Sequence, residues 1–168
     1  MVQRVRALIC SWHDRSFGLA LAGYVFLLMI GLAGCGSIVE QGTFNGHAME
    51  HTFYDGDYIF IRTVDVAQIE RGDIIAFRFS EQGNFVRRVI ALPGETIEIE
   101  AGQIFVDSEL LSEPYTESLP ESLAPLRLES DQYFVLGDNR QEGLDSADFG
   151  PVLADQIFGR VAEPRAWE

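Results

Sequence analysis

The sequence predicts a mainly β fold, on three observations. Short apolar or alternating runs recur along the chain, at residues 57–64, 73–79, 85–92, 96–100, 102–106 and 133–136. Turn pairs separate them, among them Asp55-Gly56, Gly72-Asp73 and Pro93-Gly94, where glycine accepts positive φ and proline ends strand pairing. Beyond the first forty residues, no long stretch repeats apolar residues at helical spacing.

Taken in order, residues 1–16 carry Arg4, Arg6 and Arg15, and residues 17–34 form an uncharged apolar run of eighteen. This is the layout of an export signal or a membrane anchor, with the basic end kept in the cytosol. A membrane span needs about 20 residues, with a usual range of about 17–25, so both outcomes stay open. Leu32-Ala33-Gly34-Cys35 resembles a bacterial lipobox, which makes Cys35 the expected lipidation site. Residues 36–45 are polar and are expected to be a tether, followed by a β domain over residues 46–168.

Within that domain, residues 57–64 and 73–79 read as strands. Residues 85–92 form a β-branched run with Arg87 and Arg88 inside it, ended by Pro93-Gly94. Residues 96–100 alternate isoleucine and glutamate, the mark of a half-buried strand, and residues 102–106 return from it after a tight turn. Residues 112–126 hold Pro114, Pro120 and Pro125 and are expected to be irregular. Residues 133–136 lead into a turn at Gly137-Asp138-Asn139-Arg140, and residues 153–158 are expected to form a helical turn.

A chain of 168 residues has room for one proper core. Its 12 basic and 26 acidic residues give a net charge of −14, which excludes nucleic acid as a natural partner because phosphates would be repelled. Removal of residues 1–34 would leave 9 basic and 25 acidic residues. Cys10 and Cys35 flank the apolar segment, so no disulfide framework is available to the body. All 12 basic residues are arginine, and the chain has no lysine.

Four segments, in order, resemble the type I signal peptidases. Ala48-Met49-Glu50-His51-Thr52-Phe53 with Gly56-Asp57 is similar to the family's nucleophile segment, and Arg71-Gly72-Asp73-Ile74-Ile75-Ala76-Phe77 to its R-G-D strand. The run from Phe85 to Glu95 is similar to the lysine strand. Val135-Leu136-Gly137-Asp138-Asn139-Arg140, then Asp145-Ser146 and Phe149-Gly150-Pro151-Val152, is similar to the last conserved block. Glu113-Pro114-Tyr115 and Gly159-Arg160 are weaker matches. The resemblance covers nearly all of residues 42–162 and implies a coiled β-sheet domain of the signal-peptidase type, on the extracytoplasmic side of a bacterial envelope and tethered to a membrane.

The family reaction joins a serine nucleophile to a lysine general base. Carried over residue by residue, the nucleophile position is Ala48 and the base position is Arg87. The auxiliary oxyanion serine is Gly46, and the serine that orients the lysine is Gly143. The arginine of the D-S-R triplet is Ala147, which removes a partner of Asp145. A guanidinium does not give up its proton in proteins, so Arg87 cannot serve as a general base. Ala48→Ser with Arg87→Lys is expected to restore traces of activity at best, and adding Gly46→Ser and Gly143→Ser to rebuild more.

The resemblance therefore implies a member without a functional dyad, a non-catalytic binder of an extended peptide or of a partner in export or surface-protein assembly. The alternative is a divergent but active peptidase that uses other groups. Met49, Phe53 and Arg87 are the groove candidates, with core packing the other reading for the first two. His47-Ala48-Met49-Glu50-His51 spells a metalloprotease-like H-x-x-E-H, but that pattern works on a helix and this context is a loop, so no metal and no cofactor are expected.

Overall fold

The computed structural model describes residues 39–79, 83–116 and 119–162. The apolar segment and Cys35, with the expectations of export, anchoring and lipidation, lie outside those residues. Among the described residues, no helix is long and apolar enough to cross a membrane. In chain order the strands are β1 (Val39–Thr43), β2 (Tyr58–Arg62), β3 (Ile74–Arg78), β4 (Asn84–Ala91), β5 (Thr96–Glu100), β6 (Gln103–Val106), β7 (Glu109–Leu110), β8 (Leu123–Arg127), β9 (Gln132–Leu136), β10 (Val152–Leu153) and β11 (Ile157–Val161), with a one-turn helix α1 (Ser146–Phe149) before β10.

The fold is mainly β, as the alternation predicts. Seven strands form an antiparallel sheet in the order β1-β2-β11-β3-β4-β9-β10, and four form a second sheet in the order β7-β6-β5-β8. Strand β4 ties the core together. Its Val86 packs with Phe44, Met49, Phe53 and Ile59, its Val89 with Ile75, Phe77 and Val135, and its Ile90 with Phe134 of β9 and with Ile97 and Ile104 of the second sheet. Residues Val86 to Ala91 are all buried, which is why this strand reads as a continuous rather than an alternating run. On β5, the isoleucines point inward at 0% and 2% exposure while the glutamates do not, as a half-buried strand requires.

Three expectations are corrected. Within the expected tether, residues 39–43 are a strand: all five residues of β1 pair with β2, from Val39 opposite Arg62 to Thr43 opposite Tyr58. The pairing partner, not an apolar pattern, makes it a strand, and its largely exposed residues reflect its edge position. The irregular stretch 112–126 ends in β8, where Pro125 is tolerated because β8 is the outer strand of its sheet. The helical turn expected at 153–158 is a 3₁₀ turn only over Ala154–Gln156, and the chain then enters β11 between β2 and β3. Gly159 permits that insertion, since a Cβ there would lie 2.5 Å from Ile61 Cγ2.

Candidate functional site

The loop after β1 carries Ala48, and the turn after β9 holds it in place. Asn139 donates its main-chain N–H to Ala48 O at 3.1 Å, and its side chain donates to His47 O at 3.2 Å. Gly137 lets the two backbones meet, because a Cβ there would come within 2.6 Å of Ala48 O. The turn is fixed from below by Arg88, which grips Asp138 with Nε at 2.9 Å and Nη2 at 2.8 Å. Thr52 Oγ1 donates to the same carboxylate, Arg88 Nη1 donates to Gly72 O at 2.8 Å, and the guanidinium lies 4.1 Å from the Tyr115 ring centre. Tyr115 in turn donates to Glu113, which pairs with Arg140. Burial first, and Glu113 second, push the Tyr115 hydroxyl well above its ordinary pKa.

Arg87 points to the opposite face of β4. It is 5% exposed, and its hydrogen bonds go to main-chain carbonyls: Nε and Nη2 to Leu144 O at 3.0 and 2.7 Å, and Nη1 to Val86 O at 2.7 Å. Its guanidinium carbon sits 5.5 Å from the Phe85 ring centre. Burial lowers its pKa from the ordinary value, while Asp145 and Asp148 act the other way. Ala48 and Arg87, the two dyad positions of the resemblance, do meet. A Cβ placed on Gly143 would lie 2.7 Å from Ala48 Cβ and 2.9 Å from Arg87 Nη2.

That crowding changes the outlook for the lost serines. Gly143 has φ +84° and Gly46 has φ +106°, a region that costs other residues roughly 1–2 kcal/mol. Gly46 has open space around it, so serine there meets only backbone strain, whereas serine at 143 meets strain and two close atoms. Backbone strain at both positions, and crowding at 143, therefore oppose the rebuilding expected of Gly46→Ser and Gly143→Ser.

Ala48 and Arg87 line a groove of about 690 Å³ whose walls include β1, Ile59 and Ile61 of β2, residues 84–87 of β4, Leu144 and Phe158. Among the described residues, the strand edges bordering it have no strand partner. β1 is the last strand of its sheet, and β4 pairs with β9 only from Arg88 onward, so that β3 is the one strand paired with residues 84–87 among the described residues. Met49 and Phe53 do not line the groove. They are 0% and 2% exposed and pack in the core, because the turn that joins Phe53 N–H to Met49 O at 2.7 Å folds both inward. Of the three groove candidates, only Arg87 is placed there.

The H-x-x-E-H residues do not converge. His47 Nδ1 and Glu50 Oε1 are 2.6 Å apart, and Asn139 Nδ2 reaches Glu50 Oε2 at 3.4 Å, but His51 stands exposed on a backbone of φ +82°. Among the described residues, no group of three or more His, Cys, Asp or Glu could hold a metal ion. Hydrogen bonding to Glu50, and then its charge, raise the His47 pKa above 6.5. The role of β1 as a groove wall was not readable from its sequence. The inward set of β2 was, in the alternation of Ile59 and Ile61 with Tyr58 and Phe60.

The sequence model of the family described as signal peptidase, peptidase S26, matches residues 18–166. Signal peptidase I of Bacillus amyloliquefaciens is 32% identical over 129 residues, covering 68% of this chain and 69% of that protein. Signal peptidase IB of Staphylococcus aureus strain COL is 28% identical over 160 residues, covering 83% of this chain and 82% of that protein. The crystal structure of a signal peptidase I from Enterococcus faecalis aligns with a TM-score of 0.52 at 30% identity, over 56% of this chain and 97% of that one.

Proposed function

The chain belongs to the signal peptidase family, peptidase S26, and from that premise we propose that it holds an extended peptide without cutting it. The observation that carries this reading is the pair at the groove floor: the methyl of Ala48 beside the buried guanidinium of Arg87. Peptide hydrolysis by this route needs a hydroxyl beside a group that can take its proton. Ala48 supplies no heteroatom, and Arg87 stays protonated despite burial. The open edges of β1 and of residues 84–87 support peptide holding, since strand addition uses main-chain groups and shallow pockets rather than a nucleophile. The fitting ligand is an exported protein or a partner in surface assembly. The chain is tethered to the envelope membrane by residues 17–34 or by lipid on Cys35, with the β domain on the extracytoplasmic side.

The rival reading, a divergent active peptidase, has one observation in its favour. His47, paired with Glu50, lies in the groove wall and is a possible base. The test is incubation of the full-length chain, purified in detergent, with a precursor that carries an export signal. No shortened product is expected from the wild-type chain or from Ala48→Ser, and Ala48→Ser with Arg87→Lys should give traces at best. Cleavage by the wild-type chain that vanishes in His47→Ala would decide for the rival. Mass spectrometry of the membrane-extracted protein should find diacylglycerol on Cys35, and an intact amino terminus with unmodified Cys35 would show a retained anchor instead.

A further inference from the structure

We propose that the groove recognises the free C-terminal carboxylate of an extended peptide, held by the Arg87 guanidinium and the main-chain N–H of Ala48. The proposal rests on the non-cleaving reading above and names the end of the peptide that is recognised.

Arg87 has acids nearby, Asp145 and Asp148, but no direct salt bridge to either. It is 5% exposed, yet among the described residues it makes no ion pair; only the neutral carbonyls of Leu144 and Val86 accept from it. Those bonds use three of its five N–H groups, leaving one on each terminal nitrogen. A buried guanidinium with two free N–H groups and no direct ion pair favours an anionic partner. The nearby acids are committed elsewhere. Asp145 accepts from the N–H groups of Gly137 and Ala147, and Asp148 accepts from the N–H of Asp145. Beside Arg87, Ala48 is 6% exposed and its N–H donates to none of the described residues. Both residues line the groove, so one wall offers a cation and an unused main-chain donor.

A carboxylate matches that set better than an internal peptide carbonyl does. It brings a full negative charge and two acceptor oxygens, and charge-assisted hydrogen bonds are roughly twice as strong as neutral ones. Glu40 and Glu142 also line the groove and repel anions. A small free acid therefore gains little, whereas a peptide that pairs with the open edge of β1 carries its terminus past them. Such a terminus is what peptide-bond hydrolysis leaves on the amino-terminal fragment of its substrate, so a peptidase reaction is the step that would supply this ligand.

The test is fluorescence anisotropy on the full-length chain in detergent, with a fluorescein-labelled hexa-alanine peptide ending either in a free carboxylate or in an amide. The acid form should bind at least about tenfold more tightly. Arg87→Met should bring the two forms level, and Arg87→Lys should keep part of the preference, with circular dichroism confirming that both variants fold. The acid–amide comparison on the unaltered chain decides the matter even if a variant does not fold. Equal binding of the two forms would overturn the carboxylate assignment and leave peptide holding intact. Binding of neither would overturn both, and an undiminished preference in Arg87→Met would remove Arg87 from the site.

Discussion

Arg87 and Arg88 are neighbours in one strand, both about 95% buried, and they are compensated in different ways. Arg88 meets the Asp138 carboxylate through two nitrogens, with Thr52, Gly72 and Tyr115 completing its surroundings. Arg87, one residue back and on the other face of β4, donates its hydrogen bonds to carbonyl oxygens rather than to a carboxylate, lies beside the Phe85 ring and lines a groove. The first arrangement is a rivet that joins β4 to four other segments of the fold. The second stands where the resemblance calls for a titratable amine. The contrast teaches that one of two adjacent buried arginines is closed into a charge pair while the one beside Ala48 is left facing a groove.

The largest expected effect breaks the rivet. Arg88→Met leaves Asp138, 0% exposed, without its cation, and loss of one partner of a buried pair costs about 3–5 kcal/mol. Arg87→Met strands no acid and should cost clearly less, about 1–3 kcal/mol for the main-chain acceptors it leaves unpaired. Denaturant unfolding of the two variants side by side checks the comparison, and equal losses would mean that Arg87 is as structural as Arg88.

Gly143 sharpens the same contrast. Gly143→Ser forces a Cβ to within 2.7 Å of Ala48 Cβ at φ +84°, so it should destabilise by about 1–3 kcal/mol. Gly46→Ser, with free space around it, should cost less. Thermal unfolding of both would show whether the loops have adapted to glycine, and an unchanged Gly143→Ser protein would contradict that.

The smallest effect is at His47, which also lines the groove. Its folded pKa is raised by Glu50, so its contribution to stability is fully present below about pH 6.5 and is lost as pH rises through the folded value. The stability difference between the wild-type chain and His47→Ala should therefore shrink between pH 6 and pH 8. A difference that grows over that interval would reverse the assigned sign.

Much of this was legible in the sequence because it is local. The alternation in β5, the continuous run in β4 and the glycine turns are written in neighbouring residues, and each appears within a residue or two of its expected place. The elements that were missed take their structure from distant partners. β1 has no apolar signature and is a strand because Tyr58 to Arg62 pairs with it. β11 is held between β2 and β3, and Pro125 could enter β8 only because β8 is an edge. Met49 and Phe53 showed as apolar residues near the nucleophile position, but the direction they face was set by the turn that joins them.

The sequence by itself determined which atoms are available: a methyl at 48, a guanidinium at 87, no lysine anywhere, and therefore no titratable amine for the reaction the resemblance implies. Residue identity fixes those facts in any conformation. Only the tertiary structure decided what those atoms meet. Arg87 is answered by a carbonyl 57 positions away and Arg88 by a carboxylate 50 positions away, though nothing in the Arg-Arg pair distinguishes the two. Alternation along a strand sends successive side chains to opposite faces, and what waits on each face is supplied by segments that only folding brings there.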